Sequence, residues 1–185
     1  FDGRAACYRY GDLPDGLEDD IARFCKRFPK QIDDLEKLLE TNRIFRQRSV
    51  DVGKINKQEA LDKGFSGPCL RASGVEWDLR RHQPYDCYDE LEFKIPVGTN
   101  GDCFERFLIR VEEMRQSILM IEQCLKQIPK GQCISGDPRI VPPKRNQMKY
   151  SMESLINHFK LFTEGFHVPL GETYTCVEAP KGEFG

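Results

Sequence analysis

The sequence predicts a mainly helical chain with small β elements, an α+β fold organised as a helical bundle. Long segments carry apolar residues at steps of three and four, which is the spacing of amphipathic helices. Two short segments have the composition of strands, and no apolar run is long enough for a membrane helix. At 185 residues the chain has the size of one ordinary domain. We therefore expect one compact unit with most of its core between helices.

The first helices are predicted near the start of the chain. One covers residues 15–40 and should be divided or kinked at Pro29, because proline removes a backbone donor and clashes with the preceding turn. A short helix at Lys57–Lys63 lies between a capping Asn56 and a terminating Gly64. The segment after it is rich in glycine, proline and aromatic residues, and we expect an ordered loop there.

Two longer helices are predicted in the second half. Residues 103–128 form the stronger one, capped by Asp102 in a capping box with Glu105. Its stripe is nearly a heptad seam, but extra apolar positions favour a bundle helix over a two-stranded coiled coil. The last helix covers residues 146–164 and should end at Gly165. The positions it should bury are Met148, Met152, Leu155, Ile156, Phe159 and Phe162.

Two strands complete the expected elements. Residues 90–97 alternate apolar and charged side chains, the pattern of a half-buried strand, and Pro96 suggests its edge or its end. A second short strand is predicted at Thr173–Glu178. The closing sequence EAPKGEFG is interpreted as a turn with no element after it.

Charge and cysteine usage restrict the function classes. Lys and Arg number 28 and Asp and Glu 30, a net charge of −2, so we predict no nucleic-acid partner. Basic groups such as Arg43, Arg46 and Arg48 are more typical of solvated faces than of an anion clamp. The eight cysteines include no CxxC pair, and the three histidines show no HExxH spacing, so no metal site is predicted. Reduced thiols, and hence a reducing compartment, are favoured over disulfides in a chain of this length.

The segment Gly64–Asp89 combines arginine and aromatic residues at unusual density. This composition is enriched in protein interfaces, and the alternative is that these side chains simply cover the core. We predict a partner interface formed by five residues, namely Arg71, Trp77, Arg80, Arg81 and Tyr85.

Several long motifs resemble one known family. They are FSGPCLRASGVEWDLRR, QPYDCYDELEF, IPVGTNGDCFERFLIRVEEMRQS, SMESLINHFKLFTEGFHVP and ETYTCVEAPKGEFG. In order and spacing they are similar to the forty-nine-kilodalton subunit of respiratory complex I, the proton-pumping NADH:quinone oxidoreductase. The resemblance covers nearly the whole chain. It is nearest to mitochondrial and alphaproteobacterial members.

The resemblance implies a fold and a role. Residues 1–185 would be a single partial domain, the central part of a fold that resembles the large subunit of nickel–iron hydrogenases. The family helps to form a quinone pocket beside the terminal 4Fe–4S cluster, which a neighbouring subunit holds. The chain would therefore bind no cofactor alone and would not be catalytic alone. It would be peripheral on the matrix side of the mitochondrial inner membrane, or on the cytoplasmic side of a bacterial plasma membrane.

The resemblance also implies partners. Other complex I subunits are expected, especially the terminal-cluster subunit, together with quinone. Family segments that flank this stretch have no counterpart here, so the hypothesis is a split subunit whose missing parts come from separate chains. The alternatives are a structural helical adaptor or a hydrogenase-related subunit of a membrane redox complex.

Near the start, GRAACYR aligns with a family segment that lies beside the cluster and the pocket. Arg9 matches the arginine of that segment, and Arg4 takes the place of a histidine. Either Arg4 faces the cluster as a permanent cation, or the segment has shifted and the alignment fails there.

Overall fold

A computed structural model describes residues 13–129, 131 and 135–185 of the chain. Within them, helices dominate and one small sheet is present, which confirms the predicted fold class. The elements are α1 (Leu17–Glu40), α2 (Arg43–Ser49), α3 (Lys57–Asp62), α4 (Gly67–Ala72), α5 (Leu79–His82), a 3₁₀ turn (Tyr88–Glu90), α6 (Cys103–Gln127), α7 (Gln147–Tyr150), α8 (Met152–Thr163), β1 (Val177–Ala179) and β2 (Gly182–Phe184).

The chain divides into two compact units. The smaller unit comprises residues 1–17 and 129–173, and the larger unit comprises residues 18–128 and 174–185. The interpretation of residues 1–185 as a single partial domain stays a prediction. No helix among the described residues is both long and apolar enough to span a lipid bilayer.

Helix α6 is the centre of the larger unit. On one side Val111 and Ile118 pack against Cys25 and Ile32 of α1. On the opposite side Met120 packs against residues of the segment that precedes the helix. Because α6 buries two opposite faces, it is a bundle helix rather than one strand of a coiled coil, as the width of its stripe predicts.

Pro29 lies inside α1, and the expected division into two helices is wrong. The helix runs without a break from Leu17 to Glu40. Proline removes the hydrogen bond to the carbonyl four residues earlier. Cys25 and Ile32, on the two sides of Pro29 and each 2% exposed, both pack against α6, so tertiary packing holds the helix before and after the proline. The alternative expectation, a kink at Pro29, stays a prediction.

The strand predicted at residues 90–97 is absent from the described structure, although its alternation is real. Leu91 and Phe93 are buried while Glu92 and Lys94 are exposed. The backbone of this segment is held by α6 instead of by a second strand. Gln123 Oε1 accepts from Glu92 N at 2.8 Å, and Gln123 Nε2 donates to Glu92 O at 2.7 Å. Gln116 Oε1 accepts from Lys94 N at 3.0 Å, so two glutamine side chains replace the partner strand.

The segment predicted as a loop after Gly64 contains short helices. Helix α4 begins at Gly67 with a proline in its first turn, which suits a helix start. Helix α5 is capped by Asp78, whose carboxylate accepts from Arg80 N. The segment is thus ordered, as predicted. Its helices are too short to produce a periodic apolar pattern in the sequence, which is why they were predicted as a loop.

The two predicted helix caps are confirmed, but the capping box at the second is incomplete. Asn56 Oδ1 accepts from Glu59 N at 2.8 Å, and Asp102 Oδ1 accepts from Glu105 N at 2.7 Å. The reciprocal half of the capping box is missing, because Glu105 Oε1 accepts from Thr99 N at 3.1 Å instead.

The smaller unit departs most from expectation. The helix predicted at residues 146–164 is interrupted at Ser151, whose Oγ accepts from Ser154 N and caps α8. Gly165 follows it with φ +73°, as the predicted stop requires. The predicted burial is wrong for four positions. Met152, Ile156, Phe159 and Phe162 are between 49% and 69% exposed.

The end of the chain is a hairpin rather than a bare turn. Strand β1 pairs antiparallel with β2, and Val177 lies opposite Phe184. Only the last residues of the predicted strand at Thr173–Glu178 belong to β1. The second strand was missed because its three residues, GEF, are too few to show alternation.

Candidate functional site

A buried group of charged side chains lies at the junction of α4, α5, α6 and β1. We name it the Arg71 cluster, and it consists of Arg71, Asp78, Arg80, Glu113 and Glu178. Five ionisable side chains in one buried place are costly unless each is paired. The need to pair each charge therefore restricts the geometry of this part of the larger unit.

Arg71 is the centre of the cluster, with its side chain only 1% exposed. Its Nε donates to Glu113 Oε1 at 3.0 Å, and its Nη1 donates to Glu178 Oε1 at 3.0 Å. Nη1 also donates to the carbonyl oxygen of Trp77 at 2.9 Å. One planar guanidinium thus joins α6, the C-terminal hairpin and the loop before α5, which are far apart in sequence.

Asp78 joins the two arginines of the cluster. Its fully buried carboxylate accepts from Arg80 Nη2 at 2.6 Å and lies 3.6 Å from Arg71 Nη1. Burial alone raises the pKa of Asp78, but the hydrogen bonds and charge of Arg80, together with the charge of Arg71, outweigh it. The pKa of Asp78 lies below its ordinary value as a result. Asp78 is therefore ionised at neutral pH.

The C-terminal hairpin docks on this cluster through backbone contacts as well. Tyr85 Oη accepts from Glu178 N at 3.0 Å, and Ser66 Oγ accepts from Glu183 N at 2.9 Å. Gly67 has φ +63°, and a β-carbon there would overlap the backbone of Gly182. The approach of these two glycines lets the hairpin lie directly on the start of α4.

An aromatic rim surrounds the cluster on the side of α5. Trp77 stacks on His82, with ring centroids 4.7 Å apart. The guanidinium carbons of Arg80 and Arg81 are each 5.0 Å from the ring centroid of Phe93. These cation–π contacts orient Arg81, which is otherwise exposed.

A cleft of about 650 Å³ opens beside this rim. Its lining includes Phe65, Leu70, Trp77, Tyr174 and Glu183. The walls are mostly apolar, with one carboxylate and one phenol at the edge. The cleft lies wholly within the larger unit, between α4 and the C-terminal hairpin.

No group of three or more His, Cys, Asp or Glu side chains in the described part of the chain is placed to hold a metal ion. The six cysteines that the structure describes are free thiols: Cys25, Cys69, Cys87, Cys103, Cys124 and Cys176. The side chains of the Arg71 cluster form ion pairs and hydrogen bonds with one another, and these bonds position the helices and the hairpin that carry them.

Four of the five residues predicted at a partner interface meet in or around the cluster. The side chains of Arg71 and Arg80, the carbonyl of Trp77 and the hydroxyl of Tyr85 all contact it. Arg71 differs from a surface residue because its guanidinium is buried and paired within the chain. The contact of all five residues with a partner stays a prediction.

The three acidic members of the cluster were not singled out from the sequence. Asp78 could have been recognised as a helix cap before LRRH, but Glu113 and Glu178 lie among many acidic residues and carry no distinguishing signal. Arg4 and Arg9, predicted beside the iron–sulfur cluster and quinone, lie outside the described residues.

Comparison with known proteins identifies the family. The model of the family described as respiratory-chain NADH dehydrogenase, 49 Kd subunit, matches residues 9–185. A subunit of the NADH-quinone oxidoreductase of Ehrlichia chaffeensis is 59% identical over 174 residues, and its counterpart in Pelagibacter ubique is 62% identical. The NADH-ubiquinone oxidoreductase 49 kDa subunit of Reclinomonas americana is also 62% identical.

Each of these alignments covers 94% of this chain and 44% of the relative, so the chain spans less than half the length of the curated relatives it matches. The family model matches nearly the whole chain, including every residue of the Arg71 cluster. The chain belongs to the family of 49-kilodalton subunits of respiratory-chain NADH dehydrogenase.

Proposed function

We propose that this chain is a structural part of an NADH:quinone oxidoreductase and helps to form its quinone pocket. The observation that carries the proposal is 59–62% identity over 174 residues to proteins named as subunits of that enzyme. The chain contributes part of the scaffold that surrounds the quinone pocket and part of the wall of that pocket, and it is not catalytic alone. Quinone and a 4Fe–4S cluster in a neighbouring subunit carry the electrons, and the protein positions them.

The Arg71 cluster supports a scaffolding role. It joins a central helix, two short helices and the C-terminal hairpin through buried ion pairs. A site for electron transfer needs its walls held at fixed distances, and rigid elements meet that need better than free loops. The cluster would hold the segment Gly64–Asp89 in one conformation at the junction with the neighbouring subunits.

Exposed apolar side chains of the smaller unit support a place inside a larger assembly. Tyr150, Phe159 and Phe162 are 90%, 59% and 68% exposed. A soluble monomer seldom exposes several large apolar side chains together on its surface. We propose that they pack against the regions of the family protein that this chain does not span, and against other subunits of the complex.

The function is tested by isolating the native complex from membranes of the source organism. The chain should co-purify with NADH:quinone oxidoreductase activity in one assembly, together with the subunit that holds the terminal cluster. A photoreactive quinone analogue should label that assembly near this chain, and excess quinone should protect it. Co-purification without labelling would support the adaptor alternative, and migration apart from the activity would refute membership in the complex.

The proposed partner interface has its own test. Arg81 is exposed beside Phe93, so Arg81→Glu should lower the amount of assembled complex without unfolding the chain. Lys63→Glu is a matched reversal on an exposed residue at the end of α3. Equal loss of assembly in both variants would show a general charge effect and no interface at Arg81.

Arg4 is proposed to face the terminal cluster in place of a histidine, with Arg9 beside it. A guanidinium does not titrate near neutral pH, so the reduction potential of the cluster should depend less on pH than in relatives with histidine. A redox titration of the complex at several pH values measures this slope. A slope equal to that of a histidine-containing relative would contradict the proposal.

A further inference from the structure

The cleft of about 650 Å³ between α4 and the C-terminal hairpin has walls of two kinds. Leu70, which is 4% exposed, and the half-buried Phe65 and Trp77 supply apolar surface. Tyr174 and Glu183 lie at its edge, where the tyrosine hydroxyl donates to Glu183 Oε1 at 3.5 Å. The cleft therefore combines a carboxylate with aromatic and aliphatic surface.

The carboxylate of Glu183 has no cationic partner within residues 13–129, 131 and 135–185, because none of their salt bridges includes it. Its backbone N–H donates to Ser66 Oγ at 2.9 Å, which holds the residue beside the start of α4. The charge of Glu183 is the main reason that the pKa of Tyr174 is raised above its ordinary value, so the phenol stays protonated and donates. The edge of the cleft thus presents a negative charge at a fixed place.

Two large side chains that line the cleft indicate that a partner covers it. Leu61 is 47% exposed and Tyr174 is 75% exposed. Apolar side chains grouped at a surface cleft are typical of a contact site. Covering the cleft takes the Glu183 carboxylate out of water, and that costs free energy unless a cation accompanies it. The partner must therefore bring a positive charge.

A lysine side chain fits these walls better than an arginine side chain. The methylene stem of lysine packs along apolar surface while its ammonium stays near polar groups. An arginine guanidinium favours two parallel bonds to both oxygens of a carboxylate, and one oxygen of Glu183 already accepts from Tyr174. An ammonium needs only the remaining oxygen, and aromatic rings such as that of Trp77 also attract it.

We propose that the cleft receives a lysine side chain of a neighbouring polypeptide, with its stem on Leu70 and Phe65 and its ammonium paired with Glu183. Because this contact rests on the proposed place of the chain in an NADH:quinone oxidoreductase, the neighbouring polypeptide is another chain of that complex. The cleft lies between α4 and the hairpin, so the lysine would fasten both elements to the partner.

Zero-length cross-linking of native membranes tests the contact. A carbodiimide joins a carboxylate to a lysine amine only where the two touch, and glycine ethyl ester, a small competing amine, labels carboxylates that are open to solvent. The chain is then purified and its peptides are examined by mass spectrometry. We expect Glu183 to be joined to a lysine of another polypeptide, whereas Glu40, exposed at the end of α1, should carry the ester.

The outcomes separate this contact from the proposed function. If the chain purifies with NADH:quinone oxidoreductase activity but Glu183 carries the ester as fully as Glu40, or is joined to no other polypeptide, the lysine contact is refuted and membership in the complex stands. If the chain purifies apart from that activity, the proposed function is refuted, and the contact within that complex with it.

An exchange of charges is the second test. Glu183→Lys should lower the amount of assembled complex about fivefold, whereas Glu40→Lys should leave it unchanged. The cross-linked lysine of the partner, changed to glutamate, should lower assembly alone and restore it when combined with Glu183→Lys. Restoration would also show that the substituted chain folds. A double variant that assembles no better than the single variants would contradict the pairing.

Discussion

The two units of this chain bury their residues very differently. The larger unit contains an apolar core on both sides of α6 and a buried ion cluster with each charge paired. The described part of the smaller unit has no buried residue, and its principal helix exposes most of its apolar positions. Both have helices with an apolar stripe. An apolar stripe therefore indicates a buried face only when a partner for that face exists within the chain.

The largest effect expected in the larger unit is from loss of the central arginine. Arg71→Met leaves Glu113, Glu178 and Asp78 buried without their common cation, and this should cost about 3–5 kcal/mol of opening free energy in that unit. Native-state hydrogen exchange of the assembled protein, read on peptides from α4 and α6, measures it. Arg115→Met is the matched control.

Arg115 also pairs with three carboxylates, those of Asp33, Glu36 and Glu112, but its side chain is 32% exposed. Exposed pairs contribute less than about 1 kcal/mol because water and salt screen them. If Arg115→Met cost as much as Arg71→Met, burial of the cluster would not be the source of its stabilisation.

The apolar cores give the next largest effect. Ile118→Ala removes a side chain that is 6% exposed in the core between α1 and α6, and should cost about 2–5 kcal/mol. Ile156→Ala is the same change in α8, at a position that is 49% exposed, and should cost no more than about 0.5 kcal/mol within this unit. Hydrogen exchange of peptides from each unit compares the two. A cost at Ile156 near that of Ile118 would show that another region of the assembly covers α8.

Acidic pH should lower the free energy of unfolding of the larger unit, because Asp78 becomes protonated. The pKa of Asp78 lies below its ordinary value in the folded chain, so its stabilisation is complete above the unfolded pKa of about 4. That stabilisation is lost as the pH falls through the lower, folded pKa. Urea unfolding followed by the fluorescence of Trp77, the one tryptophan, should show a falling midpoint in this range.

Asp78→Asn is the control for this titration. The variant should be less stable than the unsubstituted chain at neutral pH, but its urea midpoint should fall less steeply as the pH is lowered. An unchanged acid slope in Asp78→Asn would assign the dependence to other carboxyl groups, for example Asp102, whose pKa is also lowered.

The smallest effect concerns the segment that was predicted as a strand. Gln123→Ala removes two hydrogen bonds to the backbone of Glu92 and should cost about 1–2 kcal/mol. Gln147→Ala in the smaller unit removes one exposed bond, to Lys144 N at 3.2 Å, and should change the opening free energy by less than about 0.5 kcal/mol. Protection of the Glu92 and Lys144 amides against exchange measures both. Unchanged protection of Glu92 would mean that packing of Leu91 and Phe93 alone holds this segment.

Spacing and local hydrogen bonds are enough to predict the helical class, the extents of α1 and α6 to within two residues, and the caps at Asn56 and Asp102. The motifs of the chain also identified the family. The folded structure was needed to show that the segment at residues 90–97 bonds to glutamine side chains of α6 and is not in a sheet, that α1 continues through Pro29, and that the Arg71 side chain is buried. It also brought Glu178 to Arg71, 107 residues away in the chain. These features depend on contacts between residues that are far apart in the chain. Local sequence patterns do not specify which of those residues meet after folding.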